Sequence, residues 1–391
     1  MKKFFLAIFL TLLTTLKTYS LEELKDVGIS KYAVLEVASD NAPLRAQNNE
    51  NAKRISNLYK DTVLFADKQT DNYYRVELKE GQFAWINKNL VEVQAIIPEK
   101  RFDEIQKISF ENEKNKNIIK ITTPSISAYE IKENGMGLDF VFYDKHFNPL
   151  TSISNKITSG FEIPQQISNE LSIFYSQSKP LFGYDVVPFE KGYILSVKNP
   201  PKISKRRPLK NIKVVVDAGH GGVEKGACSF GLEEKTINLQ ISKKLQSALK
   251  KKGAKVYMTR KKDVQVPLYD RVNFAKEKNA DILISIHQNS LPNPSQVNLR
   301  HGVGVYYYHN QSKPLAQKIQ NNLLEATNFR DDKIHNASFA LVRPTSQISV
   351  LVECGYIIHK EESDKLKDKS FQKVIAKAIT KGVEEYLKEN F

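Results

Sequence analysis

The pattern of hydrophobic and polar positions differs between the two halves of the chain. Over residues 21–95, apolar and polar positions alternate in short runs, such as Tyr32 to Val37 and Tyr73 to Leu78, with turn residues between them. Alternation with a period of two is typical of a half-buried strand. This pattern predicts a small all-β domain over residues 21–95.

Residues 96–199 carry further strand-like runs that Gly and Pro interrupt. Examples are Ile118 to Ile121, Leu138 to Tyr143 and Tyr193 to Val197. We therefore predict a second all-β domain over this range. The basic, proline-rich stretch that follows, residues 200–211, is typical of an exposed linker.

From residue 212 onward, short apolar strands alternate with amphipathic helices. The segment Glu234 to Lys251, for example, places Ile237, Ile241 and Leu245 on one face of a helix. Such alternation predicts an α/β domain over residues 212–391, with a largely parallel sheet covered by helices on both faces. In sheets of this kind, functional residues gather at the carboxyl ends of the strands.

The first twenty residues have the pattern of a secretory signal peptide. Lys2 and Lys3 precede an apolar run from Phe4 to Leu16, and the small residues Thr18 and Ser20 suit a cleavage site. The run is shorter than the roughly 20 residues that cross a bilayer. We expect residues 1–20 to direct export to the periplasm, cell envelope or exterior, with no membrane span after cleavage.

Charge and cysteine content narrow the range of partners. The 391-residue chain has a formal net charge of +15, which suits an anionic partner such as nucleic acid, lipid headgroups or an acidic wall polymer. Export argues against nucleic acid. The two cysteines, Cys228 and Cys354, provide no disulfide framework and no Cys-x-x-Cys metal motif.

Residues able to bind a metal or transfer a proton follow three of the predicted strands. His220, His287 and Glu353 stand at or just beyond strand ends. Because the carboxyl ends of parallel strands meet at one edge of a sheet, we expect these side chains to converge. Glu234 opens the first helix of the domain, and its turn faces the same edge.

Two histidines with one carboxylate form a recurring ligand set for catalytic zinc, which keeps a fourth position open. A cation there makes water a nucleophile at neutral pH, and a second carboxylate can take and return a proton. The residue types alone leave open which of Glu234 and Glu353 has which role.

At these residues the chain resembles the zinc-dependent N-acetylmuramoyl-L-alanine amidases of the Amidase_3 type. The resemblance runs from Val214 to the C-terminus. It rests on four ordered blocks: Asp217-Ala218-Gly219-His220-Gly221-Gly222, Glu234-Lys235-Thr236-Ile237-Asn238-Leu239, Ser285-Ile286-His287-Gln288-Asn289-Ser290 and Val352-Glu353-Cys354-Gly355-Tyr356.

The resemblance implies a role for each residue of the predicted site. His220, Glu234 and His287 are expected to bind zinc, and Glu353 to be the catalytic acid/base. The reaction implied is hydrolysis of the amide between N-acetylmuramic acid and L-alanine in peptidoglycan. A residue hydrogen-bonded to a metal-binding histidine usually orients its ring, and Asp217 and Asn289 are candidates for that role.

Three further expectations concern substrate and assembly. Asn289 and Arg343 are candidate substrate contacts. His359 stands where the family often has Asn, which suggests altered substrate contacts. We expect a monomer.

The N-terminal β domains have weaker resemblances. Three short motifs resemble bacterial SH3-like wall-binding modules: Pro43-Leu44-Arg45, Tyr74-Arg75-Val76 and Gly81-Gln82-Phe83-Ala84-Trp85-Ile86. Residues 96–199 loosely resemble the AMIN-like wall-targeting domains that often precede amidases. Both resemblances imply that the N-terminal half holds the enzyme on peptidoglycan. Two alternatives stay open: another zinc peptidase that cuts wall stem peptides, and a non-catalytic wall-binding protein.

Overall fold

The computed structural model describes residues 31–158, 160–189, 192–293 and 296–391. The signal peptide predicted over residues 1–20 lies outside these ranges. Within them, none of the helices combines the length and the apolar composition that a bilayer crossing requires.

The first unit is an antiparallel β structure whose strands join in the order β3-β2-β6-β5-β4-β1-β7. Alternate residues of its strands face one core: in β1, Ala33, Leu35 and Val37 are fully buried. This is the period of two that the sequence shows. The strands are β1 Tyr32–Val37, β2 Ala42–Arg45, β3 Arg54–Leu58, β4 Thr62–Gln69, β5 Tyr73–Lys79, β6 Gln82–Asn87 and β7 Val91–Ile97.

The second unit has two four-stranded antiparallel sheets, ordered β17-β18-β10-β9 and β12-β13-β16-β15, whose apolar residues share one core. Its elements are β8 Asp103–Glu104, β9 Lys107–Glu113, β10 Lys116–Thr122, β11 Ile126–Ser127, β12 Tyr129–Asn134, β13 Gly137–Tyr143, β14 Lys145–His146, α1 Pro149–Ser152, β15 Gln165–Ile167, β16 Glu170–Ser176, β17 Tyr184–Phe189 and β18 Gly192–Lys198. Strand β11 pairs with β4, and Ala128, Val141 and Tyr143 enter the core of the first unit. The two β units are therefore joined by buried contacts.

The C-terminal part has a six-stranded sheet in the order β22-β19-β23-β26-β24-β25. Its elements are β19 Lys213–Ala218, β20 Cys228–Ser229, β21 Leu232–Glu233, α2 Glu234–Lys251, β22 Lys255–Met258, α3 Leu268–Glu277, β23 Ile282–Asn289, β24 Val303–Tyr307, α4 Lys313–Thr327, β25 Asp331–Asn336, β26 Ile348–Tyr356, α5 Lys360–Lys367 and α6 Lys369–Asn390. The sheet is mixed, because β24 runs antiparallel to β26.

The prediction of a largely parallel sheet therefore needs correction. Strands β22, β19, β23 and β26 are parallel neighbours, whereas β24 and β25 run the other way. Parallel strands need a crossover, usually a helix. In the described residues no α-helix separates β23 from β24 or β25 from β26, so the chain reverses at both connections.

Helices cover both faces of this sheet. Val214 and Val216 of β19 face a core shared with α2, α4 and α6. Val215, between them, faces the opposite side with Leu283 and with Ala275 of α3. Burial of each such aliphatic side chain is worth roughly 1.5–3 kcal/mol, so this packing fixes the strand ends on which the site is built.

A buried polar cluster joins the second β unit to the C-terminal part. The Tyr184 hydroxyl donates to Glu133 Oε1 at 2.9 Å, and the Gln311 amide donates to Glu133 Oε2 at 3.1 Å. His309 Nε2 lies 2.8 Å from the Arg343 carbonyl oxygen. Burial lowers the pKa of His309 to about 4, and the hydrogen bond to Arg343 opposes this shift only in part.

The pKa of His309 predicts an acid-sensitive contribution to stability. The pKa in the folded protein is about 4, below the ordinary 6.5, so between these values the unfolded chain binds more protons. The contribution is complete above pH 6.5 and is lost towards pH 4. At 1.36 kcal/mol for each pKa unit, the loss is about 3 kcal/mol. We expect His309→Gln to flatten the fall in melting temperature between pH 7 and 4.5. The same change at the exposed His146 should leave the slope unaltered, and a wild-type slope in His309→Gln would contradict the prediction.

Candidate metal centre

The turn after β19 brings His220 to the carboxyl edge of the sheet. The backbone of His220 has φ +57°, in the left-handed region that residues other than Gly rarely adopt. Gly221 and Gly222 follow with φ +136° and +59°. Such backbone conformations cluster at functional sites, where the surrounding contacts hold them in place.

His220, Glu234 and His287 meet at this edge. Glu234 Oε2 lies 3.2 Å from His220 Nε2, and Glu234 Oε1 lies 2.9 Å from His287 Nδ1. One ligand atom from each residue lies within 4.8 Å of the other two. The structure therefore brings together the three side chains for which the sequence predicts metal binding, from β23, the start of α2 and the turn after β19.

Glu234 is only 4% exposed, so its negative charge must be balanced inside the protein. Its oxygens also accept hydrogen bonds from the Ala227 amide at 2.9 Å, the Asn238 amide group at 3.1 Å and the Gln288 amide at 3.2 Å. Burial raises the pKa of Glu234, but the hydrogen bonds and charges of the two histidines outweigh it and leave the pKa well below its usual range. Its ion-pair partners among the described residues are these histidines.

Two glycines keep space free around the three ligands. A Cβ at Gly219 would lie 2.3 Å from the His287 ring, and a Cβ at Gly226 would lie 2.4 Å from Glu234 Oε2. Both distances are too short for any side chain. Two imidazoles and a carboxylate are nitrogen and oxygen donors that zinc favours. The donor set and the cradle therefore fit a zinc ion.

Glu353 occupies the position on β26 that pairs with His287 on β23. It is partly exposed, but its Oε2 atom is buried and has no hydrogen-bond partner among the described residues. Burial raises the pKa of Glu353 well above its usual range; the nearby Glu234 and Asp332 raise it further, and Arg300 opposes them. A carboxyl group with a raised pKa beside three ligands is suited to general acid/base chemistry.

Asp217 has partners other than those proposed from the sequence. It is fully buried and accepts hydrogen bonds from Arg271 at 2.8 Å, Thr259 at 2.6 Å and Ser285 at 2.7 Å. Burial raises its pKa, but Arg271 and the two hydroxyls bring it below the ordinary value. None of its described hydrogen bonds goes to a histidine, so Asp217 acts on the site through Arg271.

Two arginines that sequence reasoning did not assign hold the turn before His220. Arg271 donates to the Ala218 oxygen at 2.7 Å and to the His220 oxygen at 2.9 Å. Arg260 donates to the Ala218 and Gly219 oxygens at 2.8 and 2.9 Å. Both side chains are almost fully buried. The segments Thr259-Arg260 and Leu268 to Arg271 also fit the family resemblance, but nothing in the sequence indicates which atoms the two arginines contact.

The two candidate substrate residues lie in different places. Asn289 ends β23, two residues beyond His287, and its Oδ1 accepts from the Ser290 amide at 2.8 Å. Arg343 lines a cleft between the β units and the C-terminal part, and it donates to the Ser338 oxygen at 2.6 Å. No described hydrogen bond joins Arg343 to the ligand cluster. Substrate contact by either residue stays a prediction.

Fold and site together define a class: an α/β domain with a candidate metal centre and an adjacent carboxyl group of raised pKa. Residues 214–385 match the family model Amidase_3, described as N-acetylmuramoyl-L-alanine amidase. The chain belongs to this family.

Two relatives by sequence support the assignment, and a solved structure is also similar. The sporulation-specific N-acetylmuramoyl-L-alanine amidase of Bacillus subtilis is 32% identical over 179 residues, which cover 44% of this chain and 68% of the relative. The probable cell wall amidase LytH of Staphylococcus saprophyticus is 33% identical over 186 residues, which cover 47% of this chain and 61% of the relative. The catalytic domain of CwlV, an amidase from Bacillus (Paenibacillus) polymyxa var. colistinus, is 34% identical, with 45% of this chain and 98% of that chain covered and a TM-score of 0.42.

The cradle around the ligands gives a direct prediction. Gly219→Ala places a methyl group against the His287 ring without requiring a left-handed backbone, so the ring must shift from its described position. We expect this variant to lose most of its bound metal, measured by plasma mass spectrometry after dialysis. Gly304→Ala is the control, since its backbone is not left-handed and its methyl group would make only ordinary contacts of 3.4 Å or more. Full metal content in folded Gly219→Ala would contradict the described geometry.

Proposed function

We propose that His220, Glu234 and His287 bind zinc and that Glu353 transfers protons in the amidase reaction. As a member of its family, the chain is an N-acetylmuramoyl-L-alanine amidase, which hydrolyses the amide between N-acetylmuramic acid and L-alanine in peptidoglycan. The observation that supports this assignment of roles is the position of Glu353 beside His287, with an unpartnered oxygen next to three converging ligands.

The two glutamates have different proposed roles because their environments differ. Zinc, when bound, supplies Lewis-acid chemistry that polarises a carbonyl and activates water at neutral pH. Glu234 accepts hydrogen bonds from three amide groups and lies between His220 and His287, which gives it a fixed orientation and a low pKa, as a ligand requires. Glu353 accepts a proton from the attacking water and returns it to the alanine nitrogen as the carbon–nitrogen bond breaks. The products are the muramic acid carboxylate and a free peptide amine.

The raised pKa of Glu353 depends on the charges around it. Burial and the neighbouring carboxylates Glu234 and Asp332 favour its protonated form. A bound cation adds positive charge at this edge and lowers the pKa of Glu353 from that raised position, which helps the carboxyl group to accept a proton as well as donate one. The cation and Glu353 are therefore coupled in this proposal.

Action in the cell envelope follows from the relatives named as cell wall amidases. Export by residues 1–20 and wall binding by the SH3-like and AMIN-like units extend this proposal. The contacts between units support a fixed arrangement: the Tyr59 hydroxyl donates to the Val186 oxygen at 2.8 Å between the β units, and the Gln311 amide of the C-terminal part donates to Glu133 Oε2 at 3.1 Å. A fixed arrangement lets wall contacts add to those of the active site.

Substitution of Glu353 tests its role. Glu353→Gln keeps the shape of the side chain but cannot take a proton, so we expect a roughly 10²- to 10⁴-fold loss of peptide release from purified sacculi. Zinc content should not change. Glu224→Gln, on the nearby loop after His220, is the control and should keep both activity and zinc.

Product analysis separates the amidase from a peptidase. Wild-type protein should release peptides with a free L-alanine amine, whereas a stem-peptide peptidase would leave L-alanine on the muramic acid. Wild-type activity in Glu353→Gln would contradict the proposed acid/base role.

A further inference from the structure

A second group of two histidines and one glutamate lies beyond the carboxyl end of β26. His301 precedes β24, His359 precedes α5, and Glu362 is in the first turn of α5. One ligand atom of each lies within 4.8 Å of the other two. None of these residues belongs to the centre described above, and the amidase reaction as proposed uses none of them.

The glutamate of this group carries a buried charge. Glu362 is 2% exposed, and its Oε1 lies 2.6 Å from His301 Nδ1 and 3.9 Å from His359 Nδ1. Its Oε2 accepts a hydrogen bond from the Tyr356 amide at 2.6 Å. In the described ranges its ion-pair partners are these two histidines alone, so a proton or a cation held between them would balance the charge of Glu362.

The two rings cannot both carry a positive charge favourably. His301 and His359 stack face to face, with centroids 4.1 Å apart and planes inclined by 2°. Two imidazolium ions at this separation would repel each other, and one carboxylate balances only one of them. A single metal ion shared by the two rings avoids that repulsion. To bind it, one ring must turn out of the parallel stack, because an imidazole nitrogen binds a metal in the plane of its ring.

A buried nitrogen of His359 also favours a cation between these three residues. His359 Nδ1 is buried and makes no hydrogen bond within the described part of the chain. Buried polar atoms are almost always paired, so this nitrogen is free to bind a water molecule or an ion. A cation between His359 Nδ1, His301 Nδ1 and Glu362 Oε1 would give it a partner and balance the carboxylate at once.

We propose that His301, His359 and Glu362 bind a second first-row divalent cation. Two imidazoles and a carboxylate suit Zn²⁺ best among the common ions. The ion would join the start of β24 to the start of α5. Because Glu362 also holds the Tyr356 amide and β24 pairs with β26, it would brace the strand that carries Glu353.

Metal stoichiometry tests this second site independently of activity. The full chain is stripped with a chelator, reloaded with Zn²⁺, desalted and measured by plasma mass spectrometry. Wild-type protein should bind two ions per chain, and His359→Asn and His301→Asn should each bind one. His287→Asn should also bind one, and the double variant His287→Asn/His359→Asn none. His146→Asn is the control and should bind two.

The same series separates the two centres. The second site is overturned if the wild type binds one ion and His287→Asn binds none, or if His359→Asn still binds two ions. If the wild type binds one ion that is lost in His359→Asn but kept in His287→Asn, the second site is supported and the first is contradicted. Glu362→Gln is a further variant that should keep the fold, because its amide oxygen can still accept a hydrogen bond from the Tyr356 amide. It should also bind one ion, and two bound ions would contradict the proposal.

Discussion

The structure of the catalytic half depends on one buried carboxylate held between two histidines. One carboxylate oxygen of Glu234 contacts His220 and the other contacts His287, and the side chain is almost fully buried. A buried charge of this kind is stable only while its partners stay in place. The surrounding features serve that requirement: Gly219 and Gly226 leave room for the ligands, and Asp217 anchors Arg271, which holds the turn before His220.

Environment, not residue type, separates the two glutamates of the site. Glu234 is surrounded by donors, which favour its charged form, whereas Glu353 has a buried oxygen without a partner and two carboxylates nearby, which favour its neutral form. Pairs of acids whose pKa values are pushed apart are the usual basis for dividing ligand or nucleophile from proton donor. The residue types alone could not assign these roles, because both candidates are glutamates at the same edge.

The sequence predicted the convergence of the site because parallel neighbours share an edge. Strands β19, β23 and β26 are consecutive in the sheet, so His220, His287 and Glu353 meet there. Strand β25 was not predicted, because its sequence, Asp-Asp-Lys-Ile-His-Asn, lacks apolar alternation and lies at the edge of the sheet. The reversal of β24 was also missed, since local periodicity does not indicate strand direction.

Long-range polar pairing is the other part that local patterns do not encode. Asp217 lies 54 residues from Arg271, and His301 lies 61 residues from Glu362. Arg343 is a candidate substrate contact, which stays a prediction; in the structure it lines the cleft between the β units and the C-terminal part. Each of these positions is decided by how the finished elements pack, a property that hydrophobic spacing in one segment cannot report.

Anomalous diffraction at the zinc absorption edge, from crystals of the zinc-loaded full chain, tests the central claim most directly. The account predicts a peak within about 2.0–2.2 Å of a nitrogen of His220, a nitrogen of His287 and a carboxylate oxygen of Glu234. Crystals that contain zinc but show no peak between these three residues would contradict it.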